Sequence, residues 1–103
     1  MQFDVYPNPV PRARRAFPYV AVLQSDLAET GRDRVVAFLA PRAALPLASG
    51  RLMPVVSIGP GEFLLLLPSL TSLPASDLRR AIASLAAHRD RIVEAIDWLF
   101  LGI

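Results

Sequence analysis

A chain of 103 residues is near the commonest domain length and has room for one hydrophobic core, so residues 1–103 are expected to form a single domain. The absence of cysteine excludes disulfides, thiolate catalysis and cysteine zinc sites together. The formal charge is only +2, with eleven basic residues, all arginine, and nine acids scattered among them, which gives no strong basic field for non-specific nucleic-acid binding; the 53% apolar fraction is high for a small monomer and points to a subunit interface.

The opening Met1-Gln2-Phe3-Asp4-Val5-Tyr6 lacks the basic and apolar regions of a secretory signal. Residues 2–6 alternate polar and apolar, with Phe3 and Val5 on one face, which predicts a first strand. Residues 7–18 contain four prolines, which cannot donate to a ladder, and predict a long exposed loop. This loop holds the densest basic cluster, Arg12, Arg14 and Arg15. A solvated loop accounts for it; the sharper reading is a docking site for an acidic peptide, because guanidinium groups pair bidentately with carboxylates.

Residues 19–24 resume strand character, and Ser25-Asp26 with Glu29-Thr30-Gly31 supplies turn chemistry before a third strand over residues 34–40. Residues 41–50 read as a loop or short irregular edge. Residues 51–58 predict a strand, closed by Gly59-Pro60-Gly61 and answered by residues 62–67, the best hairpin signal in the chain. The unbroken run Phe63, Leu64, Leu65, Leu66 and Leu67 predicts burial on both faces, one toward the core and the other toward a second subunit. It is far short of the roughly 20 residues of a membrane helix, so a soluble, cytoplasmic protein is expected.

From Ala75 onward the composition favours helix. Leu85, Arg89, Ile92, Ala95, Ile96, Leu99 and Ile103 recur at helical spacing and predict one stripe packed on the sheet, with Arg91, Glu94 and Asp97 outward. Residues 76–85 are left open, since Ser76 can cap a helix with Asp77 in its first turn. The architecture is a small, mainly antiparallel β sheet or partly open β barrel with a C-terminal α-helix.

Little of this carries catalysis. His88 is the only histidine, and a metal centre would need further ligands at suitable spacing. Asp77, Asp90, Glu94 and Asp97 fit ordinary surface pairing along a helix. Ser25 and Asp26 with His88 would make a triad on paper but lack a nucleophile elbow. Gly59-Pro60-Gly61 has no following helix or lysine to hold a phosphate. No metal or cofactor is expected. The stronger signal is the ending: Trp98, Leu99, Phe100, Leu101 and Ile103 point all round a helix, so some must meet another protein, and Gly102 allows a left-handed exit.

Five stretches in order, "MQFDVY", "QSDL" from Gln24, "GR" at Gly31, "LMPVVSIG" from Leu52 and "AIDWLFLGI" from Ala95, resemble the CcdB family of bacterial toxins from end to end. The resemblance implies an SH3-like, partly open barrel with a small accessory sheet, and a strand or short turn near residues 73–78. It implies a non-enzymatic homodimer whose C-terminal helices lie side by side, with Ile96, Leu99 and Phe100 at the interface. The paired tips, here Leu101, Gly102 and Ile103, would enter the DNA gyrase A subunit dimer and trap the cleaved DNA complex, a topoisomerase poison used in plasmid maintenance. A CcdA-like antitoxin would neutralise it through a disordered acidic tail, with the Arg12, Arg14, Arg15 loop as a contact. DNA would be met only through gyrase or the antitoxin, and no membrane is involved.

One position departs from the pattern. Where the family ends Trp-Gly-Ile, this chain has Leu101, and losing an aromatic anchor of that kind costs about 2–4 kcal/mol. Trp98, about 300° around the helix and one turn back, does not simply replace it. Two other readings stand beside the gyrase poison: a ribonuclease toxin of the MazF/Kid type, which shares the barrel but needs acid, base and phosphate-stabilising groups, and a degenerate toxin that binds antitoxin without poisoning gyrase.

Overall fold

The computed structural model describes residues 1–28, 31–45 and 50–102. Six strands, β1 (Asp4–Pro7), β2 (Tyr19–Val22), β3 (Asp33–Pro41), β4 (Val55–Ile58), β5 (Gly61–Pro74) and β6 (Ala83–Ser84), precede one helix, α1 (Arg89–Leu101). All neighbours pair antiparallel, in the order β4-β5-β3-β2-β1-β6, and the sheet curls into a nearly closed barrel. The open side is tied by His88, just ahead of α1, whose Nε2 accepts the Ser57 N–H of edge strand β4 at 3.3 Å.

Alternation along the strands sorts side chains onto two faces. Ala21, Ala37, Leu39, Leu65 and Leu67 point inward with Phe3, Val5 and Val56, and α1 closes this core with Ile92 and Ala95. The opposite face is also buried. Val20, Val22 and Val36 pack with Tyr6, Phe38, Leu73 and Leu78, while Ala40, Leu64 and Leu66 pack with Phe17, Met53 and Val55. The second face of the leucine run, expected to meet another subunit, is therefore covered by the chain's own loop and hairpin. Burial on both faces, which the run did predict, is achieved within one chain.

β5 serves two ladders because it bulges. Val36 of β3 pairs with Thr71, yet Phe38 pairs with Leu66, so β5 loops outward between them. Ser69 stabilises the detour: its Oγ donates to Leu66 O at 2.6 Å and accepts the Phe38 N–H at 3.2 Å. A bulge of this kind bends a strand and raises its local twist. Beyond it a second short ladder, from Asp33–Pro74 to Val36–Thr71, continues the sheet.

The predicted first strand begins two residues late. Phe3 has φ 69, and the Asp4 N–H donates to Met1 O at 3.1 Å, so the chain enters through a tight turn. A left-handed phenylalanine is strained, but the Phe3 N–H donates to Val22 O and its ring joins the core. The predicted strand over residues 51–58 also shortens, because Gly50 and Met53 exchange hydrogen bonds at 3.3 and 3.2 Å and Pro54 lacks an N–H. Gly59, with φ 57, makes the turn into β5. Helix α1 begins only at Arg89; Ala75–Asp77 and Ala86–His88 are single 3-10 turns flanking β6. The open question over residues 76–85 is settled by Ile82 and Leu85, whose N–H groups donate to Val5 O and Phe3 O at 2.8 Å each.

The proline-rich loop is organised by Asn8, 1% exposed. Its Nδ2 donates to Phe17 O at 2.8 Å, its Oδ1 accepts the Val10 N–H at 2.9 Å, and its backbone N–H donates to Pro18 O at 2.9 Å. Phe17 then stacks on Phe38, with ring centroids 5.5 Å apart. Replacing Asn8 with alanine strands a carbonyl and an N–H in a partly buried place, and each such loss costs up to about 1–3 kcal/mol. Urea unfolding of Asn8→Ala should show a loss of about 2 kcal/mol or more; a loss under about 0.5 kcal/mol would mean the loop is held by its prolines alone.

Candidate functional site

Helix α1 presents what the core leaves over. Ile92 and Ala95 are buried, and Ile96 and Leu99 pack half-buried against the same core. Val93, Trp98, Phe100 and Leu101 remain outside; Phe100 and Leu101 are each 66% exposed. At about 100° per residue, Val93 and Phe100 lie within roughly 20° of each other, two turns apart. The 300° separating Trp98 from Leu101 is 60° the other way round, so those two share a second flank, one turn apart. The tip therefore carries two apolar edges with Asp97 between them, and Glu94 lies within the second.

Gly102 ends the helix as its composition predicts. Its φ is 69, in the left-handed region, and its N–H donates to Trp98 O at 3.1 Å. A residue with a Cβ is disfavoured there, so the glycine fixes the direction in which the chain leaves. Ile103, the third residue of the predicted tip, lies outside the described residues.

Trp98 is held from a different part of the chain. The guanidinium carbon of Arg51, in the turn before β4, sits 4.1 Å from the centre of the Trp98 ring, and Arg51 Nη2 is 3.7 Å from Glu94 Oε1. A cation over an indole is worth about 0.5–1 kcal/mol at an exposed site. Arg51 thus pins the indole and the last turns of α1 to the hairpin edge, beside a cleft of about 390 Å³ that it shares with Arg91 and Ala95. Nothing near residue 51 in the sequence signalled this contact, since the partners are distant and the arginine stands alone.

The three arginines of the long loop are all exposed and are differently engaged. Arg14 turns back on its own loop, its Nε donating to Asn8 O at 2.9 Å and an Nη2 N–H reaching Pro9 O at 3.5 Å. Arg12 and Arg15 are exposed. Across a groove from Arg14 stand Arg79 and Arg80, not singled out from the sequence although they form an adjacent pair.

The residues once assembled on paper as a triad are apart in use. Ser25 Oγ accepts the Leu27 N–H at 3.2 Å, Asp26 Oδ1 accepts the Gln2 N–H at 2.8 Å, and His88 is occupied with Ser57. Gln24 Oε1 accepts the Val35 N–H at 3.0 Å, and Gln2 Nε2 donates to Leu23 O at 3.1 Å. "QSDL" and the opening glutamine therefore tie the N-terminus to the end of β2 and the start of β3. Among the described residues no group of three or more His, Cys, Asp or Glu side chains is placed to hold a metal ion, and no helix is long and apolar enough to cross a membrane.

The family model described as CcdB protein matches residues 2–102. That span begins at the Gln2 that binds Leu23 O and ends at the Gly102 cap. On a match of that extent, with the barrel and C-terminal helix in place, the chain belongs to the CcdB family, the gyrase-targeting toxins of toxin–antitoxin systems.

Proposed function

We infer that this protein poisons DNA gyrase by binding, not by catalysis: the tip Leu101, Gly102 and Ile103 enters the gyrase A subunit dimer and traps the complex with its DNA cleaved. Family membership supports the target, and the observation that carries the reading is the exposed apolar end of α1 under its left-handed glycine cap. Apolar side chains that the core has not claimed gain by leaving water at a partner, about 25 cal/mol per Å². Two copies meet along the helices: Ile96 and Leu99 already pack the core and line the seam, while Phe100, with Val93 on the same edge, supplies the contact. This leaves the Trp98–Leu101 flank for gyrase. A CcdA-like antitoxin reverses the effect, with Arg12, Arg14 and Arg15 on its side of the molecule.

A degenerate toxin that only binds antitoxin is the second reading. It is favoured by Leu101 and by the engagement of the nearest indole, Trp98, with Arg51.

Purified protein, supercoiled plasmid, ATP and the host's gyrase separate these readings. Linear DNA should accumulate with the parent chain. A chain lacking Gly102 and Ile103 should fold and dimerise yet lose the activity; full activity in the truncated chain would sink the C-terminal mechanism. RNA cleavage without gyrase would point to the ribonuclease, and neither activity to the degenerate module.

Leu101→Trp restores a large flat contact at the tip. The concentration giving half-maximal linearisation should fall roughly tenfold or more, the scale of a buried aromatic anchor. An unchanged value would mean that the tip meets gyrase through other atoms.

A further inference from the structure

Charge is unevenly spread over this molecule. A groove of about 610 Å³ is lined by Pro7, Asn8, Pro9 and Arg14 from the start of the long loop and by Arg79 and Arg80, with Asp77, from the segment before β6. Residues 7–18 and 75–82 together hold five of the eleven arginines and one acid, Asp77, while acids outnumber arginines in the rest of the chain. A near-neutral total conceals one strongly basic end.

These cations are not spent on the fold. Arg12, Arg15, Arg79 and Arg80 make no hydrogen bond or ion pair among the described residues, and Asp77, though it lines the same groove, neutralises none of them. Arg14 uses two N–H groups on its own loop and keeps three of the five a guanidinium offers. Unpaired guanidinium groups around a concavity attract carboxylates and can bind them bidentately. The walls also select between anions. A continuous polyphosphate backbone would have to pass Asp77, whereas a peptide can set a neutral residue there. Pro7 and Pro9 offer apolar rings to the intervening side chains.

We propose that this groove docks an extended acidic segment of a protein partner, its carboxylates pairing with Arg79, Arg80 and the free N–H groups of Arg14. The inference rests on the antitoxin half of the proposed function for the origin of such a segment, and not on the gyrase half. Arg14 has a double role: its bonds to Asn8 and Pro9 hold the loop wall, and its remaining donors face the ligand.

The test uses the full chain and a short fluorescein-labelled peptide alternating glutamate with small apolar residues, followed by anisotropy. Binding should saturate, weaken with salt, and vanish when glutamate is replaced by glutamine. Arg79→Glu with Arg80→Glu should weaken it about tenfold or more, and Arg79→Gln with Arg80→Gln should weaken it less but in the same direction, each variant melting as the parent does. Arg32→Glu with Arg89→Glu, a charge-matched change elsewhere, should leave it unchanged. Absence of saturable binding, equal loss in the groove and control variants, or displacement by a single-stranded oligonucleotide at lower concentration than by unlabelled peptide would overturn the proposal. Gyrase-dependent plasmid linearisation by the Arg79→Glu, Arg80→Glu chain should match the parent, so failure of the groove and failure of gyrase poisoning read out separately.

Discussion

The constraint on which this structure depends is that β3 and β5 are buried on both faces by a single short chain. Leu39, Leu65 and Leu67 face α1, while Ala40, Leu64 and Leu66 face Phe17 and Met53. Covering two faces with so few residues requires some connections to double as lids. The proline-rich loop must fold back, which is why Asn8 is buried among its hydrogen bonds, and the end of β5 with the segment after it must return over the outer face, where Leu73 and Leu78 pack. The Ser69 bulge makes that return possible by turning one strand into two ladders. Once loops and hairpin serve as lids, their polar residues come together at the rims, and the arginine groove lies at one such meeting.

The same economy explains the helix end. α1 has one stripe to spend on the core, and Ile92, Ala95, Ile96 and Leu99 fill it. Val93, Trp98, Phe100 and Leu101 are surplus to folding, and surplus apolar surface on a small protein marks a contact. Arg51 adds order to this surface. By lying over the indole and reaching Glu94, it ties the Trp98 side of the helix to the turn before β4.

Much of this was legible in the residues because the relevant signals are local. Period-two alternation placed Phe3 and Val5 in the core, Gly59-Pro60-Gly61 made the hairpin, and Gly102 capped the helix. What misled was reading burial as association: an unbroken leucine run shows that both faces are covered, but only the three-dimensional path of residues 7–18 shows that the chain itself covers one of them. The stretch 76–85 resisted because its composition suits a helix, while backbone groups of Phe3 and Val5, some eighty residues earlier, claim it for the sheet edge. Arg51 over Trp98 and Arg79 with Arg80 opposite Arg14 depend on long-range approach in the same way, and no pattern within a window encodes them. The family motifs were informative for a further reason: Gln2, Gln24 and Asp26 are bound to backbone N–H and C=O groups, so they report the fold more directly than the target.

The two exposed features sit on different parts of the molecule and answer different chemistry. The helix tip offers apolar edges in which the nearby carboxylates, Glu94 and Asp97, would repel an acidic chain, while the groove offers guanidinium groups and proline rings that hold little for an apolar cavity. A partner bearing an acidic extended segment is thus steered toward the groove and away from the tip by charge alone, over the distance of roughly 8–10 Å at which such fields act in physiological salt. On the proposed reading, in which Leu101 meets gyrase, a partner that displaces gyrase need not compete for Leu101 with its acidic segment. Anchored in the groove, it would raise the local concentration of whatever neighbouring part of the partner covers the tip, and release would follow from tethering, with each site keeping its own chemistry.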